Sequence, residues 1–399
     1  MRIAIVAHNP LDESPGTNYR IIEMARELGQ LGVECFILCP YEPDRHLAPG
    51  VEVVGLRGPL ARAASRAFYG LGRPLLYGRA TARAIIRLWT SRALVKRAAK
   101  ELADTVASLE ADVVQGTQDV ESLPCLMAAE ELGLPFVLDL HNLSSEELLD
   151  AGLLRPGEEL LGRLRGLERG LLHRADIITP VSEELARYLI EAYGVEPSKI
   201  RVVRSGGRPF TDLPGWEEPK RVVHAGVMVY RCWPGLLVRA MASAARERPE
   251  ARFYTAGKGE LLGKALGLAG RLGLELRTYW FEGLGAMRHF LAGSYLGLIT
   301  GTESRARRFG YPAKLFECMS AGLPVVANDV GGWTEIVRRE RIGLVCPSDP
   351  RKLAGAITWL LDDEGTALEM GTRCLELVGG EYSWEASARE MLRAYSSAA

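Results

Sequence analysis

Residues 309–337, FGYPAKLFECMSAGLPVVANDVGGWTEIV, gather the residue types that hold phosphate. Glycine and proline open the segment, helix formers run from Ala313, Gly322 stops them, and an apolar strand pattern follows. A helix N-terminus offers free N–H groups and a partial positive charge, which suit a diphosphate. Pro312, Ala313 and Leu315 line that end, and Lys314 adds a full charge in the first turn. Glu317 lies three residues on, near the same face, where a carboxylate can accept from a pair of ribose hydroxyls. A plain i,i+3 surface ion pair between Lys314 and Glu317 is the competing reading.

Such a helix needs a sheet to hold it. Short β-branched runs alternate with longer helical patterns throughout the chain: 2–9, 33–40, 51–56, 112–117, 135–141, 176–180 and 200–207 in the first half. A second series occupies 221–226, 251–259, 275–283, 296–302, 324–329 and 343–348. Strand then helix, repeated, predicts two parallel sheets, and 399 residues exceed what one core usually organises. The expected division is an N-terminal domain over 1–207, a linker over 208–220 and a C-terminal domain over 221–380, with 381–399 a final helix. The linker assignment rests on the prolines of RPFTDLPGWEEPK.

In open α/β sheets ligands bind beyond the carboxyl ends of the strands. His8, His141 and His224 fall there, as do Gly116, Gly226, Gly257, Gly259 and Gly301, and Lys258 sits in the glycine turn AGKGE. For a single histidine, a packed or surface role competes with a functional one. For Lys258 the competing reading is a solvated lysine.

Composition is that of an ordinary globular chain, with 25% charged residues and a net charge of −1. The seven scattered cysteines contain no Cys-x-x-Cys pair, so buried reduced thiols in a cytoplasmic protein are expected. Met1 leads directly into a strand pattern, which reads as no signal peptide, and no uncharged apolar run approaches the roughly 18 to 20 residues of a membrane span. One region departs from the balance. Between Arg57 and Lys100 lie eleven basic residues and no acidic one, interleaved with large apolar side chains. Arg83, Arg87, Trp89 and Arg92 are therefore candidates for contact with an anionic membrane surface, peripheral on its inner face, or with an acceptor. A solvated arginine-rich helix competes with that reading, and no nucleic-acid partner is expected.

The 309–337 segment resembles the GT-B glycosyltransferases of family 4. Pro312, Lys314, Leu315, Phe316, Glu317, Met319, Gly322 and Pro324–Ala327 fit the Pro-x-Lys-Leu-Phe-Glu branch, and Gly331, Gly332, Glu335, Ile336 and Val337 fit the Gly-Gly-x-x-Glu-Ile-Val that follows. Residues 175–203 and 382–395 resemble the end of that family's first domain and its last helix, and FVLDLH resembles the strand whose terminal histidine, here His141, lies beside the transferred sugar. The resemblance implies two Rossmann-like domains facing across a cleft, with a nucleoside diphosphate sugar on the second domain. It also implies a lipid-linked or glycan acceptor on the first and transfer with retention. Among its donor contacts would be Glu317 and Lys314, with Gly226 and Lys258 at the neighbouring turns. The sequence departs from the pattern at three places. Phe309 stands where the first Glu of Glu-x7-Glu belongs, Ser205-Gly206 replaces Asn-Gly, and GVMVYRCWPG replaces the Arg and Lys pair, leaving Arg231 as the basic substitute. No Asp-x-Asp triplet is present, so a metal is not expected and His141, Lys314 and Arg231 are the candidate catalytic set. A catalytically weakened nucleotide-binding relative and a GT-B epimerase or phosphorylase are the competing readings.

Overall fold

The β-branched runs become strands because the central ones are buried on both faces between layers of helices. The computed structural model describes residues 1–8, 11, 17–40, 44–56, 58–59, 83–84, 86–87, 89–211, 215–217, 219–280 and 284–399. They divide into two units, Met1–Arg204 with Trp384–Ala399, and Ser205–Ser383.

The first unit holds β1 (Arg2–Val6), β2 (Glu34–Cys39), β3 (Arg45–Ala48), β4 (Val51–Gly55), β5 (Val113–Thr117), β6 (Phe136–Leu140) and β7 (Ile177–Pro180). Their order is β3-β4-β2-β1-β5-β6-β7. All neighbours are parallel except β3, which pairs antiparallel with β4 through an irregular register. The final helix, Trp384–Ala398, completes this core: Trp384, Ala388, Met391 and Tyr395 are buried with β1, β2 and the helix Thr17–Gln30. Trp384 meets Tyr19 edge to face at 5.6 Å, and the Tyr395 hydroxyl donates to Gln115.

The second unit holds β8 (Arg221–Ala225), β9 (Arg252–Ala256), β10 (Leu276–Tyr279), β11 (Leu296–Ile299), β12 (Val325–Asn328) and β13 (Gly343–Cys346). The sheet is parallel throughout in the order β10-β9-β8-β11-β12-β13. Strand order reverses between β1 and β5 in one sheet and between β8 and β11 in the other, and a crevice for ligand opens at such reversals.

Three expectations need correction. Residues 200–207 are not a strand: Arg201 and Val203 donate to the carbonyls of Ile178 and Pro180, and one bridge joins Ile178 to Ile200 without a ladder. The stretch read as a linker is docked on the second unit where it is described. Arg208 and Phe210 donate to Ser320, and Trp216 packs edge to face on Tyr295 at 5.0 Å. Trp89 is not on a surface. It is 2% exposed and Ile86 is fully buried, because the apolar face of this segment turns inward while Arg87 and Arg92 stay outside. Arg83 is exposed too and pairs with Glu158 at 3.0 Å. Most of the other apolar residues interleaved there (Phe68, Tyr69, Leu71, Leu75, Leu76, Tyr77, Ile85 and Leu88) lie outside the described residues.

Candidate active site

In the second unit three strand ends and one helix supply the groups. Gly226 ends β8, the turn Gly257-Lys258-Gly259 ends β9, and Trp280 follows β10. The first two turns clasp each other: Gly226 N–H donates to the Ala256 carbonyl at 2.7 Å and Met228 N–H to that of Lys258 at 2.7 Å. A Cβ on Gly257 would lie 2.4 Å from the Gly226 oxygen, and one on Gly259 would lie 2.3 Å from that of Met228. Only glycine permits this approach, and both residues hold φ near +147°. Lys258 stands over the Trp280 ring at 3.8 Å, and that ring is 55% exposed.

The helix predicted from the sequence spans Ala313–Ser320, with Pro312 as its extended cap residue. Leu315 corrects the expectation placed on it: its side chain is fully buried and its amide donates to the Pro312 carbonyl, so it fixes the turn. The first-turn amides of Ala313 and Lys314 have no acceptor within a helix. Lys314 reaches back to β8, where a Cβ on Gly226 would sit 3.2 Å from its ammonium. The ammonium donates to His224 Nε2 at 3.3 Å and to Cys232 Sγ at 3.6 Å. His224 is fully buried, and its Nδ1 faces the Leu298 carbonyl at 3.1 Å. A carbonyl only accepts, so Nδ1 carries the proton and Nε2 offers Lys314 its lone pair. Burial first, then the Lys314 charge, lowers the pKa of this imidazole and keeps it neutral.

Burial opposes ionisation of the Cys232 thiol, yet the Lys314 ammonium beside it outweighs burial and brings its pKa down to about 5. In its thiol form Sγ donates to the Val227 carbonyl at 3.0 Å. Glu317 is half-buried and has no hydrogen-bond or ion-pair partner among the described residues. Burial raises its pKa, with Lys314 pulling the other way. A surface ion pair does not describe these two residues: Lys314 is committed to β8 and Glu317 is left for a ligand. Arg231 lies in the single turn Tyr230–Cys232, its guanidinium 6.0 Å from the Tyr230 ring, its carbonyl accepting from Thr302 beyond β11. Phe309 is buried, so the position where the family has a glutamate contributes packing.

In the first unit the groups at the ends of β5 and β6 satisfy one another. Asp139 receives Arg20 through two hydrogen bonds, 3.0 and 2.8 Å, and the Thr179 hydroxyl at 3.0 Å. Burial alone would raise this carboxyl, but Arg20 and His141 hold it well below the usual carboxylate range. His141 sits between Asp139, 3.0 Å from Nε2, and Gln118, 3.3 Å from Nδ1. Asp119, next to Gln118, accepts from the Ser144 amide and hydroxyl at 2.5 and 2.6 Å, tying the two loops together. Behind them Glu168 accepts from the Ser145 amide and hydroxyl, both at 2.7 Å, and from Tyr193. Burial and then the nearby Asp119 push Glu168 well above the usual range, so this pair of carboxyls retains a proton. His8, at the end of β1, is buried and brought down to about 4 by that burial. The cluster around His141 was hidden from sequence reading, since Arg20 lies 119 positions from Asp139. Asp139, two residues from His141 and so on the same face of β6, was the one available signal.

Two doubly wound parallel units, each with its charged and glycine residues at the reversal of strand order, define a GT-B protein. Residues 16–206 match the family model for Glycosyltransferase Family 4, and residues 219–363 match that for Glycosyl transferases group 1. Among relatives, the D-inositol 3-phosphate glycosyltransferase of Kribbella flavida is 26% identical, over 100% of this chain and 96% of its own. Sucrose-phosphate synthase from Thermosynechococcus elongatus has the same fold, with a TM-score of 0.75 at 18% identity over 99% of this chain and 98% of that one. HepE of Anabaena, solved with UDP and glucose, superposes with a TM-score of 0.72 at 16% identity, over 99% of each chain. The chain belongs to the group 1 and family 4 glycosyltransferases, and it is an enzyme of that class. No helix among the described residues is long and apolar enough to cross a membrane.

Proposed function

We propose that this chain transfers a glycosyl group from a nucleoside diphosphate sugar, held by the second unit, to an acceptor held by the first, with retention of configuration. The observation that carries the reading is the start of the helix Ala313–Ser320, where first-turn amides, Lys314 and the unpartnered Glu317 stand beside the Gly226 turn. Amides and ammonium suit the leaving diphosphate, and Glu317 suits the ribose. Arg231 and Lys258 are further cations at neighbouring strand ends. Charge on the departing diphosphate is met by these groups, so the reaction requires no metal. His141 faces the transferring sugar in this reading. Both of its ring nitrogens are occupied, so its main-chain carbonyl, at the end of β6, is the group that meets developing positive charge.

HepE was solved with UDP and glucose, which makes UDP-sugars the first donors to test. The relative from Kribbella flavida is a D-inositol 3-phosphate glycosyltransferase, which favours a small phosphorylated polyol as one acceptor class. A lipid-linked or glycan acceptor at an anionic membrane is the other. It is supported by the exposed Arg87, Arg92, Lys96, Arg97 and Lys100. With Trp89 inside, such contact is electrostatic, and anionic vesicles should release the protein when salt is raised. A thermal-shift panel of UDP-, GDP- and ADP-sugars identifies the donor. Incubation of that donor with inositol phosphate or a polyprenyl phosphate, with the product anomer read by NMR, then tests the reaction. An inverted anomer contradicts retention, and no product from any pair contradicts the proposal.

A further inference from the structure

Gln118 has φ of 72°, one of four described residues other than glycine in the left-handed region. A glutamine there is strained, and such strain persists only where the surroundings over-determine it. They do so here. The Gln118 amide donates to the Asp139 carbonyl at 2.9 Å, and the Ser122 hydroxyl reaches the carbonyls of Thr117 and Gln118 at 3.1 and 3.0 Å. The turn delivers the Gln118 side-chain nitrogen to His141 Nδ1 at 3.3 Å.

The donors and acceptors around His141 fix its tautomer. Asp139 is a carboxylate that only accepts, so Nε2 carries a proton; the Gln118 amide nitrogen only donates, so Nδ1 carries a lone pair. The ring is the neutral Nε2–H tautomer. The carboxylate of Asp139 is itself tied to Arg20 through two bonds, so the charge beside the ring is already paired. Thr179 also donates to Asp139. Asp119 is turned to Ser144.

We infer that Gln118 is a positioning residue that holds His141 as a neutral Nε2–H imidazole, so that no fixed cation stands beside the sugar as positive charge develops on it. The inference rests on the proposed function for its purpose but not for its geometry. An imidazolium at that place would oppose the transition state, and neutrality leaves the His141 carbonyl as the effective dipole.

The test is a long-range proton–nitrogen spectrum of the full chain at pH 7.5 with labelled histidine, the His141 signals assigned by their loss in His141→Gln. The expected wild-type ring has Nε2 protonated and Nδ1 not. Gln118→Glu should place protons on both nitrogens. Gln118→Gly relieves the backbone and should melt no lower than wild type, while kcat falls about tenfold, the rate equivalent of one neutral hydrogen bond, at little change in donor KM. A wild-type ring protonated on both nitrogens or on Nδ1 alone overturns the inference. So does Gln118→Glu with the wild-type pattern, or Gln118→Gly with wild-type kcat. If no donor and acceptor pair reacts, the proposed function fails by itself and the spectra still decide the role of Gln118.

Discussion

The two sets of strand ends are built on opposite principles. Around His141 the charged side chains are tied to protein partners: Arg20 on Asp139, Asp139 and Gln118 on His141, Asp119 on Ser144, Glu168 on Ser145 and Tyr193. Around Gly226 the groups are spread over glycine turns, and Glu317 has no partner among the described residues. A saturated network fixes orientation before any ligand arrives and presents mainly backbone. An unsaturated one leaves its charge to be matched by ligand, which suits a diphosphate nucleotide that enters and leaves with each turnover. Lys314 belongs to both kinds, since it is anchored on His224 and Cys232 and still lies at the open turn.

The comparison is broken most forcefully at Arg20. Arg20→Met leaves Asp139 buried without its cation, and unfolding by urea should show a loss of about 3 to 5 kcal/mol. The folded pKa of Asp139 lies below its unfolded value of about 3.9, so the stability it contributes is present above that pH and is lost as pH falls toward the folded value. The variant should lack this acid limb. Equal stability of the two proteins at neutral pH would show the network is not what orients the first unit's site.

Next in size is Lys314→Met. Loss of a charged phosphate contact should weaken UDP binding by calorimetry roughly ten- to a hundredfold. The same change removes the main pull on Cys232, so the thiol that titrates near 5 should move up toward the ordinary range in a thiolate absorbance titration. Cys35 and Cys318 do not mask this step, because burial pushes both up to about 12. A normal UDP affinity in Lys314→Met would mean the lysine serves only the buried cluster.

Smaller again is Lys258→Ala. Lys258 is exposed, and a solvent-screened charge contact to phosphate is worth about 0.2 to 1 kcal/mol, so donor affinity should fall by about fivefold at most. A loss as large as that in Lys314→Met would move the main phosphate contact from the helix start to the β9 turn. The smallest expected effect is that of excess EDTA, which should leave the transfer rate unchanged. Abolished activity restored by Mn²⁺ would mean that the second unit's cations do not suffice.

The difference between the two sites also explains what could be read in advance. The helix Ala313–Ser320 was legible because its signals are local: Pro312 before it, Gly322 after it, and Lys314 and Glu317 one turn apart. Twelve strands were legible as β-branched runs. The edge strand Arg45–Ala48 was not, because RHLA carries no such pattern and is held only by β4. Residues 200–207 were misread for the converse reason: IRVV has the composition of a strand but only two of its amides reach β7. Between Arg57 and Lys100 the run of basic charge points to a surface, whereas the helical face turns Trp89 inward. The Arg20 that holds Asp139 comes from the helix Thr17–Gln30 and the Gln118 that meets His141 from the loop after β5, and no spacing rule links residues brought together only by the order of strands.

The central claim, that the second unit holds a donor nucleotide through an unpartnered carboxylate, is tested most directly by titrating UDP into wild-type protein and Glu317→Ala in a calorimeter. Loss of a charged hydrogen-bond partner should lower affinity roughly ten- to a hundredfold. The melting temperature should stay level or rise, since burial without a partner raises the pKa of this carboxyl and so disfavours its charged form. A folded Glu317→Ala protein that binds UDP as tightly as the wild type would contradict the account.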